Sequence, residues 1–257
     1  MGVIKVNDVD DMSLVEHLGE LRKRIFWVLL VFISSTLVGL YFSDRVINWL
    51  RAMPPADQIA WHAFSPWDSI RIYMQFSFAI GFMITLPYLL FQLWGFVKPG
   101  LRQREQKASL KYIPFAVLLF LVGVAFSYFI VFKMALLFTN LMTERLGLEQ
   151  TYGITQYFSF MFNIVLPISI LFELPIVVMF LTAIRLLNPL RLRKFRRYAY
   201  FILLIVSSIV TPPDVISALI VMIPLVLLYE FSVFLSGIVY RKQLLKDEAW
   251  EAEYGPK

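Results

Sequence analysis

The stretch VLPISILFELPIVVMF, residues 165–180, is almost entirely hydrocarbon, yet it carries one carboxylate, Glu173, between Pro167 and Pro175. It lies within a longer apolar run, residues 157–184. Crossing about 30 Å of lipid hydrocarbon takes about 20 helical residues, because an α-helix rises about 1.5 Å per residue. The run therefore predicts a transmembrane helix with an ionisable group near its centre, where a charge is most costly.

The composition of the whole chain also indicates an integral membrane protein. Of the 257 residues, 59% are hydrophobic and 16% are charged, and the mean hydropathy is +0.71. Soluble domains average about 45–50% apolar and about 25% charged residues. More than twenty mostly polar residues precede the first apolar run without a cleavage site after it, so we expect no removable secretory signal.

The residues available for chemistry are few, so we expect neither an enzyme nor a bound cofactor or metal. The chain has no cysteine, which excludes disulfides and thiolate metal sites. Its two histidines, His17 and His62, lie outside the apolar runs, so a haem held between intramembrane histidines is excluded. No phosphate-binding glycine loop, H-E-x-x-H pair or G-x-S-x-G elbow occurs.

Apolar runs and loop charges together predict an all-α fold with six transmembrane helices. The runs are approximately 25–42, 72–97, 112–132, 157–184, 198–210 and 215–239. The fifth has only about 13 apolar residues, which alone would be too short for a span. Six spans, however, place nineteen of the 24 Lys and Arg residues on one side of the membrane. Because basic residues collect on the cytoplasmic side, both termini are predicted to be cytoplasmic.

The same pattern predicts the shape and the extent of the domain. Prolines inside the spans, at positions 87, 114, 167, 175 and 224, favour kinked helices and a cupped body. The hairpin of spans five and six is predicted to be too short for an unperturbed bilayer, which would thin the membrane or shelter the TPPD turn, residues 211–214. Residues 1–240 form one membrane domain in this interpretation, and residues 241–257 form a cytoplasmic tail.

Four polar features stand out, and each has an ordinary structural explanation. In SLVEHLGELRKRI, residues 13–25, Glu20 and Arg24 are four apart and can pair on an amphipathic helix. The basic stretch QLWGFVKPGLRQREQK, residues 92–107, can be a solvated loop. Asp214 can cap the last helix. Glu173 can be an uncharged acid that forms a structural hydrogen bond, to Ser169 or to another helix.

Four stretches together resemble one known family. These are HLGELRKRI before span one, QLWGFVKPGLRQRE at the end of span two, FELP inside span four and TPPD before span six. In order, spacing and predicted topology they are similar to TatC, the six-span core subunit of the twin-arginine protein translocase. The resemblance covers residues 13–240, and its weakest part is the first outer loop, residues 43–71.

The resemblance implies a function and a set of site residues. TatC-like proteins bind signal peptides with two adjacent arginines and start the transport of folded proteins, driven by the proton gradient, with single-span partners of the TatA and TatB type. It implies a glove-like fold in the cytoplasmic membrane of a prokaryote, self-association in the complex, and no nucleic-acid partner. By motif, Glu20, Arg22, Phe96 and Glu105 fall in the signal-peptide site. Glu173 matches the intramembrane acid, and Asp214 matches the acid of the short hairpin, a partner contact.

Physical chemistry favours the same assignment of the two cytoplasmic carboxylates. Guanidinium groups pair best with carboxylates, and Glu20 and Glu105 offer two carboxylates within a basic surround. That surround would repel basic chains that lack the correct register. The alternative is a proton-coupled secondary transporter with Glu173 as its intramembrane acid, although such transporters have paired repeats that we do not find here.

The charge bias generates a test of the topology. Because the chain has no cysteine, single cysteines can be introduced at Arg145 and at Lys194. A membrane-impermeant maleimide added to intact cells should label Arg145→Cys and leave Lys194→Cys unlabelled until the membrane is opened. Protection of Arg145→Cys in intact cells would contradict the six-span topology.

Overall fold

Most of the described chain is helical. The computed structural model describes residues 14–98, 110, 112–149, 151–211 and 215–254. Within these ranges no β-strand forms, and the one β-type contact is an isolated bridge between His62 and Gly153.

Among the described residues, eight α-helices build the six predicted spans, and they are numbered here along the chain. They are α1 (Leu14–Arg51), α2 (Asp68–Val97), α3 (Tyr112–Phe126), α4 (Lys133–Arg145), α5 (Ile154–Leu171), α6 (Leu174–Ala183), α7 (Pro189–Val210) and α8 (Val215–Tyr254). A π-helical segment, Ser127–Phe132, joins α3 to α4 as span three, while α5 and α6 form span four. Spans one, two, five and six are α1, α2, α7 and α8.

The predicted class, an all-α protein with six membrane helices, is confirmed. In the described residues five spans are long and apolar enough to cross a membrane, and the remaining one is α7. This agrees with the short fifth run, since α7 begins in a basic segment and only its second half is apolar. No membrane is present in the structure, so the thinning expected around the TPPD turn stays a prediction.

Several helices extend beyond the apolar runs. The first runs unbroken from Leu14 to Arg51, because the sequence offers no helix breaker before Pro54. The third continues past the predicted end at residue 132 to Arg145. The last continues to Tyr254, since KQLLKDEAWEAEY is rich in good helix formers. Most of the segment expected as a tail is therefore helical.

Span four lies at the centre of the bundle. In its most apolar 18-residue window 56% of residues are buried, against 17% in span one. Aromatic side chains pack around it: Phe158 contacts Phe76 of span two edge-on, with ring centroids 5.0 Å apart, and Tyr157 contacts Phe132 of span three at 5.4 Å. Large apolar side chains on the outside, such as Ile209, stay exposed, as lipid-facing residues do.

Spans one and two pack closely along small residues. A Cβ atom built on Gly39 would lie 2.6 Å from the backbone oxygen of Ser77, so the two backbones are nearly in contact. The hydroxyls of Ser43 and Ser77 are 3.0 Å apart and form a hydrogen bond across the same interface. Small residues that admit close backbone approach, together with hydroxyl pairs, are what membrane helices use in place of a hydrophobic driving force.

Span four is broken at Phe172 and Glu173. Both residues form a turn between α5 and α6, and Pro175 occupies the first turn of α6. Proline suits that position because its missing N–H has no helical acceptor there. By contrast, Pro87, Pro167 and Pro224 lie inside continuous helices. The break presents the Glu173 side chain at a helix end in the middle of the span.

The close contact at Gly39 generates a stability prediction. Gly39→Ala should lower the free energy of unfolding by about 1–3 kcal/mol, because its methyl group meets backbone atoms that cannot rotate away. The measurement is the apparent melting temperature of the detergent-solubilised protein. Gly237→Ala is the matched control: nothing lies within 4 Å of its Cβ position, so it should melt as the parent does or slightly higher. Equal melting of both variants would contradict the packing.

Candidate functional site

The first candidate site joins the start of span one to the end of span two. Arg24 donates from Nε and Nη2 to the same oxygen of Glu20, Oε1, at 3.0 and 2.5 Å. Its Nη1 donates to the side-chain oxygen of Gln92 at 3.0 Å, and the Gln92 backbone oxygen lies at 3.4 Å. Arg24 therefore bridges an acid on its own helix and an amide 68 residues away.

Glu20 retains unused hydrogen-bonding capacity. Its second oxygen, Oε2, is buried and has no hydrogen-bond partner among the described residues. The whole Glu20 side chain is 22% exposed, and that of Arg24 is 25% exposed. A carboxylate can accept about four hydrogen bonds, so this one can hold a further donor. The i,i+4 pair predicted from the sequence forms, and it leaves half of the carboxylate unpaired.

Gly95 provides the room for the Arg24 guanidinium. A Cβ atom at this position would collide with Nη1 of Arg24 and would lie 2.9 Å from its Cζ. Gln92 is fixed in turn, because its amide nitrogen donates to the Tyr88 hydroxyl at 2.6 Å. The chain Tyr88–Gln92–Arg24–Glu20 is thus a continuous polar network, which we call the Glu20 network.

Two other predicted residues of this end, Arg22 and Phe96, lie on the same two helices as the network. Arg22 is exposed on α1, and Phe96 is half-buried on the last turn of α2, next to Gly95. The Lys98 ammonium lies over the Trp94 ring, 5.5 Å from its centroid. The structure thus brings Glu20 and the end of span two together. Glu105 lies outside the described residues, and so does Asp214.

An apolar groove lies between the last turns of α2, the start of α3 and α6. It has a volume of about 240 Å³, and spans two, three and four line it, with Trp94 at one position and Ile176 at another. The indole nitrogen of Trp94 is buried, and no acceptor for it is found in the described part of the chain. Ile176 follows Glu173 by three residues, so the groove lies close to the break in span four.

Glu173 is a buried acid whose side chain is unsatisfied. The residue is 7% exposed, and neither carboxyl oxygen has a hydrogen-bond partner within the residues described. Its backbone is fully used: the N–H donates to Ile170 and the carbonyl accepts from Ile176 and Val177, all at 3.0 Å. The hydrogen bond to Ser169 that the sequence allowed is not made, since the Ser169 hydroxyl donates to the carbonyl of Val165 at 2.6 Å.

A second acid in a membrane helix, Glu230 of span six, was missed by the sequence analysis. Its two oxygens accept from Arg196 at 2.6 Å and from the Tyr200 hydroxyl at 2.5 Å, both on α7. Nearby, the Tyr229 hydroxyl donates to the carbonyl of Leu192 at 2.9 Å. The signal was present, because Glu230 interrupts the last apolar run as Glu173 interrupts the fourth. The paired Glu230 fastens span six to span five.

Comparison with known sequences identifies relatives along nearly the full length of the chain. A family model described as Sec-independent protein translocase protein (TatC) matches residues 16–224. The chain is 44% identical over 249 residues to the Sec-independent protein translocase protein TatC of Halalkalibacterium halodurans, covering 95% of this chain and 98% of that protein. It is 41% identical over 234 residues to TatCy of Bacillus subtilis, covering 91% and 92%.

A solved structure agrees with these relatives. The crystal structure of the twin-arginine translocase receptor TatC matches with a TM-score of 0.74 at 33% sequence identity, covering 87% of this chain and 99% of that one. These matches confirm the resemblance found in the sequence motifs and give no support to the transporter alternative. The chain belongs to the TatC family of Sec-independent protein translocase proteins.

Proposed function

We propose that this chain is the signal-peptide receptor of a twin-arginine translocase. It binds peptides with two adjacent arginines at its cytoplasmic end and starts the transport of folded proteins, with the proton gradient as the energy source. It lies in the cytoplasmic membrane of a prokaryote with both termini cytoplasmic. Its partners are single-span proteins of the TatA and TatB type and further copies of itself, and it acts without a cofactor.

The observation that carries this proposal is the half-used carboxylate of Glu20. A buried oxygen without a donor is costly, and a planar guanidinium is its best geometric match. The acid lies at the predicted cytoplasmic end of the bundle, where basic residues outnumber carboxylates. A ligand with paired arginines would be selected here by its geometry rather than by net charge, because net attraction to this surface is weak.

Glu105 supplies the carboxylate for the second arginine in this proposal. It belongs to the same motif as Gln92 and Phe96, and it follows the end of α2, to which the Glu20 network is attached. Arg22 and Phe96 shape the approach, the first from the exposed face of α1 and the second from the last turn of α2. Asp214 contributes a contact with a partner protein at the turn between spans five and six, on the side of the membrane opposite to Glu20.

Recognition of the arginine pair is tested by charge reversal. Glu20→Ala should weaken binding of a twin-arginine peptide, and the double variant Glu20→Lys with Glu105→Lys should abolish it. Loss of one member of a charge pair costs about 2–5 kcal/mol when the pair is desolvated and about 0–1 kcal/mol when it is exposed. A carboxylate that is 22% exposed should fall between these limits. Binding should also weaken with added salt.

The measurement is capture of a fluorescent twin-arginine peptide by the purified protein, with a lysine-pair peptide as the reference. Glu144→Lys with Glu248→Lys is the matched control, since both glutamates are exposed and the two reversals change the net charge as much as the double variant does. If the double variant bound the twin-arginine peptide with wild-type affinity, Glu20 and Glu105 would not form the peptide-binding site.

Glu173 is proposed to recruit a single-span partner helix. An unpaired acid inside the bundle, next to an apolar groove, can exchange hydrogen bonds with a polar side chain on a helix arriving through the lipid. Such bonds are worth about 0.6–2 kcal/mol in a membrane, which favours reversible recruitment. The break before Pro175 keeps this side chain at a helix end rather than within a continuous helix.

Removal of this acid should separate recruitment from peptide binding. Glu173→Ala should reduce crosslinking of partner helices while binding of the twin-arginine peptide stays near the wild-type level, and Glu173→Gln should have a milder effect. Ser169→Ala serves as a control, because that hydroxyl already bonds within its own helix. Unchanged crosslinking in Glu173→Ala would contradict the role.

A further inference from the structure

We propose that Arg24 is a resident occupant of the Glu20 carboxylate, which an arriving arginine displaces and a lysine does not. Arg24 would then set the discrimination between arginine-pair and lysine-pair peptides. The inference rests on the proposed function and adds a specificity-determining residue to it. It starts from a simple geometric fact, that the acid expected to receive a guanidinium already holds one.

The resident guanidinium makes the contacts that a ligand would make. Two of its nitrogens donate to Oε1 of Glu20, at 3.0 and 2.5 Å. The other oxygen is covered, with no donor in the described part of the chain. One oxygen is thus occupied and the other is enclosed, so the carboxylate becomes accessible only when a neighbouring group moves. Arg24 is the neighbour bonded to it.

Arg24 has a second place to bind once it leaves Glu20. Its Nη1 already donates to the side-chain oxygen of Gln92, and the Gln92 backbone oxygen is 3.4 Å away. The Tyr88 hydroxyl holds the Gln92 amide in the orientation that presents this acceptor. Gly95 leaves the guanidinium space against α2 that any side chain with a Cβ would fill. Displacement therefore moves Arg24 to existing acceptors instead of into an unpaired state.

Competition of this kind favours arginine over lysine. An arriving guanidinium replaces the two donors lost from Oε1 with two equivalent donors and can also reach Oε2, so the exchange gains a contact. A lysine ammonium is a compact, strongly hydrated point charge and cannot match a fork of two parallel donors. It would have to expel a better ligand than itself. Arg24 thus weakens the binding of lysine-pair peptides more than that of arginine-pair peptides.

The test compares two peptides on one set of variants. Purified protein in detergent is titrated with fluorescent twin-arginine and lysine-pair signal peptides, and the ratio of their affinities is the readout. Arg24→Gln removes the occupant, so the lysine-pair peptide should gain affinity and the ratio should fall by about tenfold, the scale of one charged hydrogen bond. Lys23→Gln, an exposed neighbour that loses the same charge, should keep the parent ratio.

Two further variants keep the test decisive if Arg24→Gln folds poorly. Arg24→Lys retains the positive charge but loses the two parallel N–H donors of the guanidinium. It should therefore also lower the ratio of twin-arginine to lysine-pair affinity. Gln92→Leu removes the nearer of the two alternative acceptors and leaves only the backbone oxygen of residue 92. It should weaken binding of the twin-arginine peptide, because Arg24 is then held more tightly on Glu20. Melting temperatures recorded in parallel show which variants are folded.

The possible outcomes separate this inference from the proposed function. If the wild-type protein binds the two peptides equally, or binds neither, the receptor function itself is wrong. If the wild-type protein discriminates and folded Arg24→Gln and Arg24→Lys keep its ratio, or lose affinity for both peptides in equal measure, then Arg24 only fastens span one to span two and the inference is overturned.

Discussion

The structure depends on the inability of lipid hydrocarbon to hydrogen-bond. Every polar group inside the bilayer must find a partner in the protein or remain costly. Most buried hydroxyls of serine and threonine obey this rule by donating to carbonyls of their own helices, as Ser43 does to Gly39 at 2.7 Å and Thr182 does to Val178 at 2.8 Å. Hydroxyl pairs then link neighbouring spans, as between Thr182 and Ser236 at 2.7 Å. Among the buried side chains without a partner, Glu173 differs because neither of its two carboxyl oxygens is satisfied.

Three acids respond to that constraint in three ways. Glu230 is satisfied by an arginine and a tyrosine of the adjacent span, so its capacity is spent on fastening two helices. Glu173 is enclosed and unsatisfied, and its burial remains energetically unfavourable until another helix or water supplies a hydrogen-bond partner. Glu20 is half-satisfied, at the edge of the membrane, by a group that can leave. In the proposed function, the acid whose hydrogen bonds are satisfied has a structural role, and the two acids with unsatisfied oxygens have binding roles.

The sequence was sufficient for the number, type and approximate position of the spans, because span length and loop charge are one-dimensional properties. It also predicted the Glu20–Arg24 pair, since residues four apart meet on any helix. It could not predict the bond from Arg24 to Gln92, which depends on the packing of α1 against α2. Nor could it predict the continuation of span three to Arg145, or that Glu230 would be paired while Glu173 is not. Those features depend on which helix faces pack against each other in the folded bundle.

In the proposed function the Glu20 network combines a structural pair with a binding site. Span one is the least buried of the apolar spans, and it packs almost entirely against span two. Its start is fixed to the end of span two through Arg24 and Gln92, so the same guanidinium that occupies the acid also holds the two helices together. Because Arg24 both occupies Glu20 and joins the two helices, the site stays assembled when no ligand is bound. An arriving arginine can then take over the acid while Arg24 stays on Gln92, and the helices remain joined throughout the exchange.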